Sequence, residues 1–165
     1  MYEQSIRTLR CGLIFGCVAL SILSTGVRAM TDNLETLAPC PQSPNCVCSD
    51  EDPRSSKYIA PFVSDRADAT QGSADGQRLL AAIATYLDSR PEFRIVKRSD
   101  SGLQIEARSR LLRFVDDIEM QVRGNSVAVR SASRVGYSDL GKNRRRLEAI
   151  RRAMVKQGLV QAGSL

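Results

Sequence analysis

The chain has 165 residues, no histidine and no tryptophan, and a formal net charge of +6 at pH 7. Without histidine it cannot build a Ser-His-Asp or Cys-His mechanism or a histidine-ligated zinc site. The scarcity of aromatic residues and the export signal described next both argue against nucleic acid as a partner. The length suits one domain with its own hydrophobic core.

The first 29 residues have the order of a cleavable secretion signal. Arg7 and Arg10 precede an apolar run over residues 11–23, and Val27 and Ala29 occupy the two positions that a signal peptidase reads. We expect residues 1–29 to be a signal peptide and the mature domain to be exported to the periplasm. The alternative is an uncleaved segment that anchors the chain to the membrane.

Residues 30–72 are rich in Pro, Ser, Asp and Asn and show little periodicity. We interpret them as an extended, turn-rich arm packed on the domain. In an oxidising compartment Cys40 and Cys46 can close a small disulfide loop, which leaves Cys48 as a free or alternative thiol, exposed or able to take over the pairing. The cysteine spacing is not that of a zinc site, so we favour no metal over a copper(I) or zinc site.

The predicted core, residues 73–158, begins with a helix. Apolar residues recur at three- and four-residue spacings up to Leu87, and Pro91 ends the pattern. Alternating residues then predict strands over 93–98 and 103–108, and the polar turn between them makes the pair a hairpin.

Two further strands are predicted between Phe114 and Ser133. Gly124 and Asn125 join them in a two-residue type II′ turn, which fixes the register of the strand pair. One of the resulting pairs, Glu119 with Arg130, joins opposite charges across the strands, which supports the register. The predicted pairs are Arg123 with Ser126, Val122 with Val127, Met120 with Val129, Glu119 with Arg130, Ile118 with Ser131 and Asp116 with Ser133.

The last helix is predicted to begin at Ser138 and Asp139, to bury Leu140 with the other apolar residues of one side, and to end at Gly158. Residues 159–165 are a C-terminal tail. The predicted fold class is α+β: an extended N-terminal arm, a helix, a four-stranded antiparallel sheet and a C-terminal helix, with both helices packed on one sheet face.

Three stretches of the chain resemble a known family. They are CPQSPNC at 40–46, FVDD at 114–117 and RSASRVGYSDLGKNR at 130–144. Together, over residues 37–158, they resemble the domain-of-unknown-function family numbered fourteen ninety-nine, which occurs in exported bacterial and plastid-related proteins. The resemblance implies a fold and a compartment but no activity, substrate or catalytic residue. Cys48 departs from the family pattern, in which serine follows Asn-Cys-Val.

Asp116 is the carboxylate with the most informative position. By alternation it points to the same face as Ile118 and Met120, where an ionised group must be paired or neutralised. Arg113 or Arg134 could reach it from the same strand end. We favour a buried structural pair, and a catalytic acid or base role is the alternative.

A second candidate site is the segment from Arg130 to Arg144, just before the last helix. Its guanidinium, hydroxyl and amide groups, with the amides of the helix N-terminus, could hold a phosphate, sulfate or carboxylate. Asp139 argues against an anion at that helix end. The candidate ligand-binding residues are Arg130, Ser133, Arg134, Tyr137, Asn143 and Arg144.

The last helix also carries basic residues opposite its apolar side. We interpret them as a solvated face that could contact acidic lipid head groups. The residues are Lys142, Arg144, Arg145, Arg146, Arg151, Arg152 and Lys156.

The sequence favours a non-enzymatic envelope domain that binds an anionic small molecule, a lipid head group or another envelope protein. A structural or assembly module is the alternative, and a large apolar patch on the sheet face away from the helices would favour it. A hydrolase or isomerase that uses Asp116 is less favoured, since no nucleophile motif is present. We expect no cofactor, no nucleic acid partner, and membrane contact only through the signal segment or peripherally.

Overall fold

The computed structural model describes residues 36–66, 72–109 and 113–161. The predicted signal peptide and the last four residues of the tail lie outside these ranges. No helix in the described ranges is long and apolar enough to cross a membrane. In chain order the elements are β1 Cys46–Cys48, β2 Phe62–Val63, α1 Gly72–Asp88, β3 Phe93–Arg98, β4 Gly102–Arg108, β5 Val115–Arg123, β6 Ser126–Ser133 and α2 Lys142–Lys156.

The fold is α+β, as predicted, but the sheet has six strands where four were predicted. Strand order is β1-β6-β5-β4-β3, and β2 pairs with the other half of the outer edge of β6. Cys46 lies opposite Ala132, and Phe62 lies opposite Val127. Both additional strands come from the predicted arm. Strands of three and two residues are too short for the alternation that marks a strand in a sequence.

The hairpin of β5 and β6 has the predicted register. Asp116 lies opposite Ser133, and the other five predicted pairs are also in place. Gly124 has φ 57°, a left-handed value that glycine adopts without a steric penalty. Arg130 donates to Glu119 at 2.9 Å, so the predicted cross-strand ion pair is confirmed.

One hydrophobic core joins the two helices to the sheet. α1 contributes residues at helical spacing, such as Leu79, Ile83 and Leu87, and α2 contributes Leu147 and Ile150. From the sheet, alternating residues of β4 to β6 complete the same core. These are Leu103, Ile105, Ala107, Ile118, Met120, Val127 and Val129.

α2 begins at Lys142, later than predicted. Asp139 precedes the helix and accepts from the backbone N–H groups of Gly141 at 3.0 Å and Asn143 at 2.7 Å. Leu140, predicted to be buried, lies before the helix with φ 52° and is largely exposed. The helix ends at Lys156, and Gly158 follows it with φ 66°, the left-handed value of the predicted terminating glycine.

The basic residues of α2 do not form one solvated face, which corrects the prediction. Arg144 donates to the carbonyl oxygens of Ser56 and Tyr58 at 2.7 and 2.6 Å. Arg151 is fully buried and donates to the carbonyl oxygen of Pro61 at 2.9 Å. These hydrogen bonds join α2 to the arm, so they hold the arm on the domain.

Candidate functional site

A cleft of about 520 Å³ lies where β5 begins, β6 ends and the chain turns into α2. Phe114, Val135 and Leu140 supply its apolar walls. Asp116 and Ser133 lie at its floor, and Lys142 lies at its side. An apolar cavity with a few converging polar groups is the usual form of a small-molecule site. We call it the β5–β6/α2 cleft.

Asp116 is buried at the floor of this cleft, on the face that alternation predicted. Ser133 donates its hydroxyl to Asp116 Oδ1 at 2.5 Å, and Arg146 donates to Oδ2 at 2.6 Å. Asp116 therefore forms the predicted buried structural pair. Its cation is Arg146 of α2, and neither Arg113 nor Arg134 supplies it. Because α2 passes over these strand ends, its first two turns place Lys142 and Arg146 above Asp116.

Asn143 holds the floor of the cleft together from beneath. Its side chain is fully buried. The amide oxygen accepts from Ser131 Oγ at 2.6 Å and from Arg146 at 3.0 Å. The amide nitrogen donates to the carbonyl oxygen of Asn45 at 3.0 Å and to Ser133 Oγ at 3.1 Å. Every hydrogen-bonding group of this amide has a partner, so the network fixes β1, β6 and α2 relative to one another.

Arg134 lies on the opposite face of the sheet, because it follows Ser133 in the strand direction and side chains alternate. It donates to both carboxylate oxygens of Asp117, at 2.9 and 2.7 Å, and to Glu106 at 2.7 Å. Hydrogen bonds from Arg94 and from Arg134 lower the pKa of Glu106 to about 2. The predicted anion-binding role of Arg134 would require it to leave two carboxylates.

The six predicted ligand-binding residues therefore do not converge. Ser133 lines the cleft and Asn143 supports it from below. Tyr137 is exposed beside the cleft but does not line it. Arg130 and Arg134 belong to the outer sheet face, where they pair with carboxylates, and Arg144 binds the arm.

The cysteines of the arm lie in or just before β1, along the edge of β6 that faces away from β5. Cys40 and Cys46 form the predicted disulfide, with their Cα atoms 5.6 Å apart. Cys48 is free but fully buried, so the prediction of an exposed thiol is wrong. Burial raises the pKa of its thiol, which keeps it protonated and unreactive. The described ranges contain no group of three or more His, Cys, Asp or Glu that could hold a metal ion.

Sequence reasoning found Asp116 and Ser133 but missed the two cations above them and the apolar walls. The i, i+4 spacing of Lys142 and Arg146 is a signal that could have placed them on one face of α2. The walls give a weaker signal, because the apolar pattern of α2 predicts that Leu140 belongs to the helix.

The six-stranded sheet, its two helices and the cleft beyond the strand ends define a small α+β domain with an open cleft and a hydrogen-bonded polar floor. Residues 36–154 match the family described as Protein of unknown function (DUF1499), so the chain belongs to this family and the resemblance is confirmed. No curated protein and no solved structure matches the chain.

Proposed function

We propose that this protein is an exported, non-enzymatic envelope domain that binds a small amphiphilic anion in the β5–β6/α2 cleft. The observation that carries the proposal is the combination of three apolar walls with the ammonium group of Lys142 at one side, whose ion pair with Asp116 is long. Lys142 Nζ is 3.8 Å from Asp116 Oδ2, beyond hydrogen-bond distance. That carboxylate oxygen already accepts from Arg146 at 2.6 Å.

The ligand class follows from the chemistry of these walls. An alkyl or aromatic group would be removed from water against Phe114, Val135 and Leu140. A carboxylate or phosphate on the same molecule would accept from Lys142. Asp139, also at the cleft, is directed towards the α2 N-terminus, where its two oxygens accept from backbone amides.

The polar floor supports binding more than catalysis. Each oxygen of Asp116 already has a donor, Ser133 on one side and Arg146 on the other. The chain also has no histidine to activate the Ser133 hydroxyl as the base of a Ser–His pair.

The test is a titration of the chain from Met30 onward with octyl phosphate, kept below its micelle concentration, with octanol as the neutral comparison. All elements of the described fold lie between residues 46 and 156, so this chain contains the whole described domain. We expect octyl phosphate to bind and Lys142→Gln to weaken it about tenfold, since a hydrogen bond to a charged group contributes about 1.5 kcal/mol or more. Lys156→Gln, at the exposed end of the same helix, is the matched control and should bind as the unaltered chain does.

Equal affinity for octyl phosphate and octanol, or equal affinity of both lysine variants, would refute an anion site at Lys142. Absence of binding would move the assignment to a structural or assembly module. The outer sheet face gives that alternative less support, since charged pairs such as Arg134 with Asp117 and Arg130 with Glu119 occupy it where an apolar patch was required.

The export part of the proposal rests on the order of residues 1–29 and on the arm disulfide between Cys40 and Cys46, a bond that persists in oxidising compartments. Mass spectrometry of the protein from its native cell should find a chain that begins at Met30. A chain that retains residues 1–29 and fractionates with the membrane would identify an uncleaved anchor.

A further inference from the structure

We propose that the two loops beside the cleft dock on an anionic lipid bilayer. The rim loops are residues 113–114, before β5, and residues 135–140, between β6 and α2. This inference goes beyond the cleft ligand and does not depend on it. The partner is the bilayer surface itself.

Exposed apolar side chains are concentrated on the rim loops. Within the described ranges five large hydrophobic residues are exposed, and four of them are here: Phe114 at 50%, Val135 at 59%, Tyr137 at 78% and Leu140 at 82%. The fifth, Val96, lies on β3. A cluster of this kind on a small domain marks an interaction surface.

The backbone of the rim loops is strained at two positions. In the described ranges two non-glycine residues have left-handed φ values, Arg113 at 53° and Leu140 at 52°. This region is unfavourable for residues with a Cβ atom. Hydrogen bonds to Ser138 Oγ at 3.2 Å and from Arg145 at 2.6 Å hold the backbone of Leu140 in this conformation, and its side chain is left exposed.

The charge around the rim loops is complementary to anionic lipid. Arg113 and Arg145 are exposed beside the apolar residues, and Arg145 donates to the carbonyl oxygen of Leu140 at 2.6 Å. Lys142 lies in the next turn. The nearby acid, Asp139, is engaged with backbone amides. Apolar and aromatic side chains flanked by arginine and lysine are the combination that binds the interface of anionic membranes.

The size of the rim favours a bilayer over a protein partner. A stable protein interface takes about 20 or more residues from each side, whereas the rim offers four apolar side chains on two neighbouring loops. A few side chains with adjacent cations are sufficient for a reversible peripheral membrane contact. Tyrosine is also favoured at the boundary between head groups and acyl chains, and Tyr137 is the most exposed aromatic residue of the part of the chain that the structure describes.

The experiment is co-sedimentation of the chain from Met30 onward with vesicles of phosphatidylcholine alone or with 30% phosphatidylglycerol. We expect binding to the anionic vesicles only, weakened by high salt. Tyr137→Ser and Leu140→Ser should each reduce it about tenfold, in the range for burial of a large apolar side chain. Val96→Ser, exposed on β3, is the matched control and should bind normally. Circular dichroism checks that each variant is folded.

A substitution at Tyr137 tests the membrane surface independently of the proposed cleft ligand, because Tyr137 does not line the cleft. Tyr137→Ser should lose vesicle binding and keep octyl phosphate binding. Equal binding to neutral and anionic vesicles, or unchanged binding of both rim variants, would overturn the membrane surface. A concentration-dependent dimer that disappears in Tyr137→Ser, with no vesicle binding, would assign the rim to a second copy of the chain.

Discussion

The substitution Gly76→Ala tests how closely α1 approaches the turn between β5 and β6. A Cβ atom at Gly76 would lie 2.3 Å from the carbonyl oxygen of Gly124 and 2.7 Å from Val122 Cγ1. An ordinary carbon–oxygen contact is roughly 3.3 Å, so the helix and the turn would have to separate by about 1 Å. Overpacking of this kind costs about 3 kcal/mol at its upper range, and the better helix propensity of alanine offsets about 1 kcal/mol. We expect a net loss of about 2 kcal/mol in the free energy of unfolding.

Urea unfolding followed by circular dichroism measures this loss as a lower midpoint at an unchanged slope. Gly72→Ala, one turn earlier, is the control, because its Cβ would meet its nearest atom at an ordinary 3.6 Å. That variant should be as stable as the original chain or slightly more so. If Gly76→Ala is as stable as Gly72→Ala, the close approach of α1 to the turn does not exist in solution and the reasoning fails.

Three further predictions concern stability. Arg146→Met leaves Asp116 buried without its closest cation and should destabilise the domain by about 3 kcal/mol in urea unfolding, whereas a loss below about 1 kcal/mol would show that the pair is not buried in solution. Because the folded-state pKa of Glu106 is about 2, against an ordinary value of 4.5, its ion pairs stabilise the fold above pH 4.5 and are lost as pH falls towards 2. The stability difference between the original chain and Glu106→Gln should therefore shrink over that interval, and a difference that does not change with pH would contradict the depressed pKa. Cys40→Ser removes the disulfide between two cysteines six positions apart and should lower the free energy of unfolding by about 2 kcal/mol. A reductant should cause the same loss in the original chain and none in the variant.

Much of the fold could be predicted because its signals are local. The β5–β6 register follows from one turn and the alternation of the residues beside it, since a slip of one residue would turn every core side chain outward. The α1 helix follows from apolar spacing in the same way. β1 and β2 could not be predicted, because what makes them strands is the open edge of β6, more than 60 residues further along the chain.

In the candidate site, too, local patterns predicted some features and tertiary packing decided the others. Alternation determined that Asp116 faces the core, and the turn at Gly124 determined that Ser133 lies opposite it. Alternation also places Arg134 on the other face of the sheet, which is inconsistent with its predicted roles as a partner for Asp116 and as a ligand-binding residue. Which cation meets Asp116 depends on the path of α2 across the strand ends, and only the packing of the helix on the sheet decides it.

The sequence by itself thus determined the class of fold, the register of the central hairpin and the burial of Asp116, because each depends on neighbouring residues or on a fixed period. The tertiary structure alone decided that basic residues of α2 are used to hold the arm and the buried carboxylate. It also decided that Leu140 leaves the helix, and that the cleft opens beside the rim loops. These features join segments that are distant in the chain, and their free energy comes from contacts that no local pattern encodes.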